Sequence, residues 1–141
     1  MLFGKRKTDK PEPARRDAPT DKVLLETHHF RAVLRSGLVV GEVLTEQVTE
    51  RESKLLLDEI AQATDESGSA RLVLDMKHVG VLASAGIGLL VQVHKRLKAS
   101  GGALAVYGLS EDISQLLKLT RMDKLFTIAD TEAEATEKAT G

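Results

Sequence analysis

The feature that most constrains the fold is an alternation, beyond residue 22, between short β-prone runs and segments with apolar residues at helical spacing. The β-prone runs are 29–34, 38–44, 70–75, 103–107 and 125–128. Strands separated by single helices need crossover connections, which join parallel neighbours. Only Ser36-Gly37 separates the first two runs, which is typical of an antiparallel hairpin. The sequence therefore predicts an α/β fold whose mixed sheet opens with an antiparallel hairpin and continues with parallel strands.

Four helices are predicted between and after these strands. Thr49-x-x-Glu52 resembles a capping box at the start of the first helix, and Ser67-Gly68 ends it. Gly101-Gly102 ends the second helix. Its predicted apolar face consists of Ile87, Leu90, Val91, His94 and Leu97. Ser110 is an N-cap for the third helix, and the Ala/Glu-rich segment 131–138 predicts the fourth.

The first 22 residues differ in composition from the rest of the chain. All three prolines lie within the first 19 residues, among many charged residues and few apolar ones. Such a segment cannot bury enough apolar surface to offset its ordering entropy. We therefore expect 1–22 to be a disordered charged N-terminal arm and 23–141 to form the folded domain. No apolar run follows the basic cluster, which argues against a secretory signal. A solubilising tail is the simplest interpretation, and weak contact of 1–7 with an anionic membrane is the alternative.

Composition excludes several classes of function. Cysteine is absent, so disulfides, thiolate catalysis and cysteine-ligated metal sites are excluded. The formal net charge of −1 argues against a general nucleic-acid-binding surface. The longest uncharged stretch, 78–94, is shorter than the ~20 apolar residues of a membrane-spanning helix. We expect a cytoplasmic protein with no nucleic-acid partner and no membrane insertion.

The most informative segment, 81–90, lies between a predicted buried strand and the second helix and consists mostly of small residues. Open α/β sheets place their sites at the carboxyl ends of parallel strands, where the first amides of a helix have no intrahelical partners. A phosphate on Ser84 would meet these amides and the positive end of the helix dipole. Ser84 is thus a candidate phosphoacceptor. The competing interpretation is that its hydroxyl serves only as a helix N-cap.

Sequence motifs for catalysis or nucleotide binding are weak elsewhere in the chain. Gly86-x-Gly88 lacks the third glycine and the lysine of phosphate-binding motifs, which leaves a nucleotide hydrolase poorly supported. We expect both glycines to let the helix pack closely on a strand. His94 lies on an apolar helical face and is expected to be a satisfied core residue. Asp75 ends a strand, where a catalytic acid could stand, but the sequence identifies no partner for it. The prediction is a protein that is not an enzyme and has no catalytic residue, cofactor or metal.

Four segments, taken in order, resemble one known family. They are Leu72-Val73-Leu74-Asp75, then Val81-Leu82-Ala83-Ser84-Ala85-Gly86-Ile87-Gly88-Leu89-Leu90, then Lys95-x-x-Lys98-x-x-Gly101-Gly102-Ala103-Leu104, and Leu116-Leu117-x-Leu119-Thr120-x-Met122-Asp123-x-Leu125-Phe126. Together they resemble the STAS domain of bacterial anti-sigma factor antagonists. The resemblance implies a STAS-like mixed sheet with about four helices.

The resemblance also implies a regulatory function. In that family an unphosphorylated antagonist binds a kinase-type anti-sigma factor and frees the sigma factor. The kinase uses ATP to phosphorylate one Ser or Thr at the helix start, and a phosphatase restores binding. By resemblance, the phosphoacceptor is Ser84, and the partners are an anti-sigma factor of the serine kinase type, an ATPase, and a phosphatase. The implied partner-binding residues are Ala83, Ala85, Gly86, Ile87 and Gly88.

Two departures from the family pattern support a second hypothesis. The usual aspartate of the family is Ala83 here, and its second hydroxyl residue is Ala85. A phosphorylation-independent STAS adaptor or scaffold, for example a subunit of a lipid-trafficking ABC transporter or of a signalling complex, is therefore the alternative. In that case Ser84 would be only a cap, and its mutation would cost ~1 kcal/mol of stability.

Overall fold

A computed structural model describes residues 21–140 of the chain. The strands are β1 (Lys22–Glu26), β2 (Phe30–Arg35), β3 (Leu38–Val43), β4 (Gln47–Val48), β5 (Arg71–Asp75), β6 (Val81–Leu82), β7 (Ala103–Tyr107) and β8 (Thr127–Ile128). The helices are α1 (Glu50–Ser67), α2 (Ser84–Ala99), α3 (Glu111–Leu119) and α4 (Glu132–Thr140), and a 3-10 turn, Met122–Lys124, precedes β8. Throughout the described part of the chain, each helix is too short or too polar to traverse a bilayer.

Six of the strands form one mixed sheet in the order β1-β2-β3-β5-β7-β8. The neighbours from β1 to β3 are antiparallel, and those from β3 to β8 are parallel. The β2–β3 turn holds Ser36 at φ 53° and Gly37 at φ 79°, the left-handed conformations that a two-residue hairpin favours. The predicted α/β class, with a hairpin followed by parallel strands, is confirmed.

Both faces of the sheet are covered, and this explains the continuous apolar run in β5. Leu72 and Leu74 face the main core beneath α1, α2 and α3, and Val73 between them faces a smaller cluster beneath α4. Successive strand side chains point to opposite faces, and all three of these side chains are fully buried. A central parallel strand of this kind needs apolar residues at every position.

The folded domain begins earlier than the sequence predicted. Asp21 and Lys22, which the sequence assigned to the arm, belong to the fold because Lys22 opens β1 and Asp21 pairs with Arg35. The Arg35 Nη2 donates to Asp21 Oδ2 at 2.8 Å, and this hydrogen bond raises the pKa of the guanidinium. β1 is a run of three apolar residues between Lys22 and Glu26, which is too short to show the alternation that would predict a strand. The rest of the predicted arm, 1–20, lies outside the described residues.

The buried face of α2 is rotated from the predicted one. The structure buries Gly86, Leu89, Leu90, Val93 and Leu97. Ile87, Val91 and His94, which the spacing placed on the apolar face, are only half-buried. The prediction assumed a single packing partner, whereas α2 contacts both α1 and β7. The side chains directed between these two elements are consequently the most buried.

The helix ends that the sequence predicted for α1 and α3 are present. Thr49 and Glu52 form a reciprocal capping box at the start of α1, and Gly68 ends that helix at φ 72°. At the start of α3, Ser110 Oγ accepts a hydrogen bond from the Ile113 amide at 3.2 Å. These interactions fix where the helices begin relative to the strands before them.

Replacing Ser110 with Ala is expected to lower the free energy of unfolding by about 1 kcal/mol, because the Ile113 amide loses its acceptor. Urea denaturation measures the change. Ser114→Ala, within the same helix, is the matched control because the Ser114 hydroxyl has no partner among residues 21–140. Equal stability of the two variants would contradict the capping role.

Candidate functional site

Ser84 is the first residue of α2 and lies on the surface. The N-cap is Ala83, whose backbone is extended (φ −81°, ψ 174°) and whose side chain cannot cap. Within the described range the Ser84 hydroxyl has no hydrogen-bond partner. The interpretation of Ser84 as the N-cap is therefore wrong, because the helix begins one residue earlier than a serine cap requires. Its hydroxyl stands free at the helix start.

The start of α2 is electrostatically suited to an anion. The first helical hydrogen bond is donated by the Gly86 amide to the Ala83 carbonyl at 2.8 Å, so the amides of Ser84 and Ala85 precede the hydrogen-bonded ladder. The first turn of α2 carries no acidic residue. Negative charge at such a position is stabilised by the helix dipole and by the free amides.

A small second sheet holds this segment in place. β4 and β6 pair in parallel, with Gln47 opposite Val81 and Val48 opposite Leu82. The Ala83 amide continues the ladder and donates to the Val48 carbonyl at 3.0 Å. The backbone immediately before Ser84 is thereby fixed to the segment that leads into α1.

Gly86 makes the close approach of α2 to β4 possible. A Cβ at this position would lie 2.5 Å from Leu82 Cδ1 and 2.9 Å from the Val48 carbonyl oxygen. Gly88, by contrast, has nothing within 4 Å of an added Cβ. The prediction of close packing thus fits Gly86 and is wrong for Gly88, which lies on a different side of the helix.

The predicted partner-binding residues differ in accessibility. Ala83, Ala85, Ile87 and Gly88 are half-buried, and Gly86 is buried, so a partner could contact only the first four. Val81, which was not among the predicted binding residues, is 51% exposed. Its exposure could not be predicted because β6 has only two residues and shows no alternation. We call the surface formed by Val81, Ala83, Ser84, Ala85 and Ile87 the Ser84 surface.

Asp75 has a cationic partner that the sequence did not reveal. Its carboxylate accepts hydrogen bonds from the Lys77 amide at 3.0 Å and the Lys77 ammonium at 2.7 Å. At the end of neighbouring β3, Glu42 Oε2 lies 2.9 Å from His78 Nε2. Burial raises the pKa of nearby Tyr107, and adjacent carboxylates raise it further. Lys77 and His78 lie in the loop that leads from β5 to β6, so these pairs anchor the approach to Ser84.

The histidines do not converge on a metal site. Across residues 21–140, no group of three or more potential ligands is placed to hold a metal ion. His94 is half-buried with its ring centroid 6.2 Å from that of Phe126, and its Nδ1 is buried without a hydrogen-bond partner in the described structure. The expectation of a satisfied core histidine is therefore wrong, because the aromatic neighbour supplies no polar group.

Ala substitutions at the two glycines are expected to act in opposite directions. Gly86→Ala should lower the free energy of unfolding by about 1–3 kcal/mol, because the added methyl overlaps Leu82 and Val48. Gly88→Ala, its control in the same helix, should raise stability by about 0.5–1 kcal/mol because it only removes backbone freedom. Thermal or urea denaturation distinguishes them, and a destabilised Gly88→Ala variant would contradict the assigned packing.

A negative charge at Ser84 is expected to stabilise the fold. Ser84→Asp should raise the free energy of unfolding by about 0.3–1 kcal/mol over the neutral Ser84→Asn control, through the helix dipole. The difference should shrink in high salt, which screens exposed charges. Urea titrations at low and high salt measure it. A less stable aspartate variant would show that the first amides of α2 are not available to an anion.

Sequence comparison relates the chain to a known domain family. The STAS domain family matches residues 42–135. A Thermotoga maritima protein assigned as an anti-sigma factor antagonist is 31% identical over 71 residues, which is 50% of this chain and 63% of that relative. The chain therefore spans less than two thirds of this relative. The anti-sigma F factor antagonist of Paenibacillus polymyxa is 24% identical over 111 residues, covering 79% of this chain and 90% of that protein.

Solved structures share the fold. The crystal structure of a Thermotoga maritima protein of the same assignment has a TM-score of 0.71 and 23% identity, covering 82% of this chain and 100% of the other. The Bacillus protein SpoIIAA in its phosphorylated form has a TM-score of 0.56 and 15% identity, covering 84% of this chain and 98% of the other. The family match includes all of β5, β7 and β8 and the whole Ser84 surface. This chain belongs to the STAS domain family.

Proposed function

We propose that this chain is a cytoplasmic anti-sigma factor antagonist, a binding module that engages an ATP-using anti-sigma factor and is switched by phosphorylation of Ser84. The observation that carries the proposal is the state of the Ser84 hydroxyl, which is exposed and lacks a hydrogen-bond partner among residues 21–140. It stands at a helix start, where a phosphate would be tolerated. The names of the relatives agree with this kind of function.

In the unphosphorylated state, the Ser84 surface carries no charged side chain. Val81 is 51% exposed, and Ala83, Ala85 and Ile87 are each partly accessible. A small apolar patch of this type can be buried against a partner without an unpaired charge being desolvated. Because β4 and β6 hold the backbone, the surface needs little ordering when it binds.

Phosphorylation would change this surface without changing the fold. The kinase transfers the γ-phosphoryl group of ATP to Ser84 Oγ, ADP leaves, and the hydroxyl proton passes to a base of the kinase. The product carries about −1.5 to −2 charge at neutral pH. The helix start stabilises that charge in the free protein, whereas an apolar interface would have to desolvate it. The free state is therefore favoured, and a phosphatase would restore binding.

A phosphorylation-independent adaptor is the second candidate. Ala83 and Ala85 flank Ser84, so neither adjacent side chain offers a polar group that could orient the hydroxyl toward a kinase. In that function the same surface would bind its partner constitutively. The two candidates differ in how binding responds to charge at Ser84.

Ser84→Asp is expected to weaken binding of the partner anti-sigma factor by at least about tenfold, and Ser84→Ala should bind like the unmodified protein. Ser36→Asp is the charge-matched control, because Ser36 is exposed in the β2–β3 turn and its left-handed conformation accepts aspartate. Calorimetric titration of the kinase-type anti-sigma factor from the same organism measures the affinities. Incubation with that kinase and ATP should add one phosphoryl group, detected by mass.

Two results would overturn the switch. Equal affinity of Ser84→Asp and Ser84→Ala would identify a constitutive adaptor. Phosphoryl transfer that persists in Ser84→Ala would place the acceptor elsewhere.

A further inference from the structure

The opposite end of α2 carries a second exposed surface with a different chemistry. α2 and α3 both run away from the carboxyl edge of the parallel strands, because each follows one strand and returns the chain to the start of the next. Their C-terminal ends therefore lie at the edge of the sheet remote from Ser84. The 3-10 turn Met122–Lys124 lies at this edge as well, since it leads directly into β8.

Exposed cations collect at this end. They are Lys95 and Lys98 on α2, Lys118 on α3, Arg121 at the turn that follows and Lys124 in the 3-10 turn. In the described part of the chain none of these five side chains makes an ion pair or hydrogen bond. We call them, with the groove described next, the basic end. Such an excess of unpaired positive charge is notable in a chain whose formal net charge is −1.

A groove of about 270 Å³ opens within the basic end. Leu125 and Phe126 form its apolar wall, and His94, Lys98 and Lys124 add basic groups. Leu125 is 42% exposed, and Leu119, at the end of α3, is 82% exposed. Bulky apolar groups beside unpaired cations provide both parts of a recognition surface for an acidic and apolar partner.

Two details distinguish this region from the rest of the described surface. His94, in the groove, has a buried Nδ1 without a hydrogen-bond partner among residues 21–140. Buried polar atoms of this kind are rare and call for an explanation. Arg121 adopts a left-handed backbone, φ 66°, which is uncommon for a residue other than glycine. That conformation turns the chain from α3 into the segment that lines the groove.

We propose that the basic end binds an acidic polypeptide segment whose apolar side chain enters the groove. The unpaired cations complement the acidic residues of such a segment, and Leu125 and Phe126 complement its apolar side chain. Asp123 also lines the groove, and its carboxylate could accept a hydrogen bond from a peptide amide. A concave site accommodates a single side chain better than it does the flat surface of a bilayer. The occupant is therefore a polypeptide rather than a membrane.

The test uses the full chain, immobilised and exposed to a pool of short peptides in which Asp or Glu flank Leu, Ile, Phe or Met. Peptides retained on the protein are identified by mass spectrometry and titrated by fluorescence anisotropy. Their binding should weaken as salt is raised, and counterparts with Asn or Gln in place of the acids should bind at least about tenfold more weakly. Amide shifts in NMR spectra should map to 94–98 and 121–127.

Matched variants locate the binding site. Lys98→Gln with Lys124→Gln should weaken peptide binding by about tenfold, while the control pair Lys54→Gln with Lys138→Gln, on α1 and α4, should not. Leu125→Ser should weaken binding, and Val81→Ser, an exposed apolar residue of the Ser84 surface, should not. All four residues changed to Gln are exposed, and denaturation curves verify that each variant is folded.

The proposal is overturned if no peptide in the pool is retained, or if retained peptides bind the Lys98→Gln, Lys124→Gln variant as tightly as the wild type. It is also overturned if vesicles of phosphatidylglycerol and phosphatidylcholine bind the chain while the peptides do not. Ser84→Asp should leave peptide binding unchanged, so failure here is distinguishable from failure of the phosphorylation switch.

Discussion

The contact between Gly86 and β4 is the constraint on which the site depends. Any side chain at this position would meet the Val48 carbonyl and Leu82. Their proximity allows α2 to start directly against the small second sheet, so that Ser84 follows a backbone already held by hydrogen bonds. The position of one exposed hydroxyl is consequently set by core packing rather than by hydrogen bonds of its own.

In this arrangement, the residues that stabilise the fold are different from the residue proposed to control binding. The charged pairs around Asp75 and Glu42 anchor the loop before β6, and the buried side of α2 anchors the helix. The Ser84 side chain contributes to neither. A residue whose side chain makes no stabilising contact can be modified with little loss of folding stability. A helix start is also one of the few surface positions where added negative charge is favourable.

The sequence predicted the structure correctly where residues close together in the chain determine it. The turn at Ser36-Gly37, the capping box of α1 and the cap at Ser110 each depend on residues close together in the chain. The sequence did not predict features that depend on packing between elements distant in the chain. The face of α2 depends on its simultaneous contact with α1 and β7, which spacing within one helix does not encode.

In the candidate site, too, local features were predicted and features that depend on distant packing were not. Ser84 was selected because strand, turn and helix follow one another locally, whereas the identity of the N-cap depended on where α2 meets β4. The pairing of Glu42 with His78 depends on the order of strands, because β3 lies beside β5, whereas Lys77 reaches Asp75 from two residues further along the chain. His94 was misjudged because only the folded chain shows that Phe126 is its neighbour.

The length of α2 has a consequence for signalling. Lys98 lies fourteen positions after Ser84, which at the usual helical rise is roughly 21 Å. Ionic screening at physiological salt attenuates forces between exposed charges over ~8 Å. The electrostatic interaction between a charge at one end of α2 and a charge at the other end is therefore weak. One partner at the Ser84 surface and another at the basic end could therefore bind at the same time, and phosphorylation of Ser84 would affect only the first.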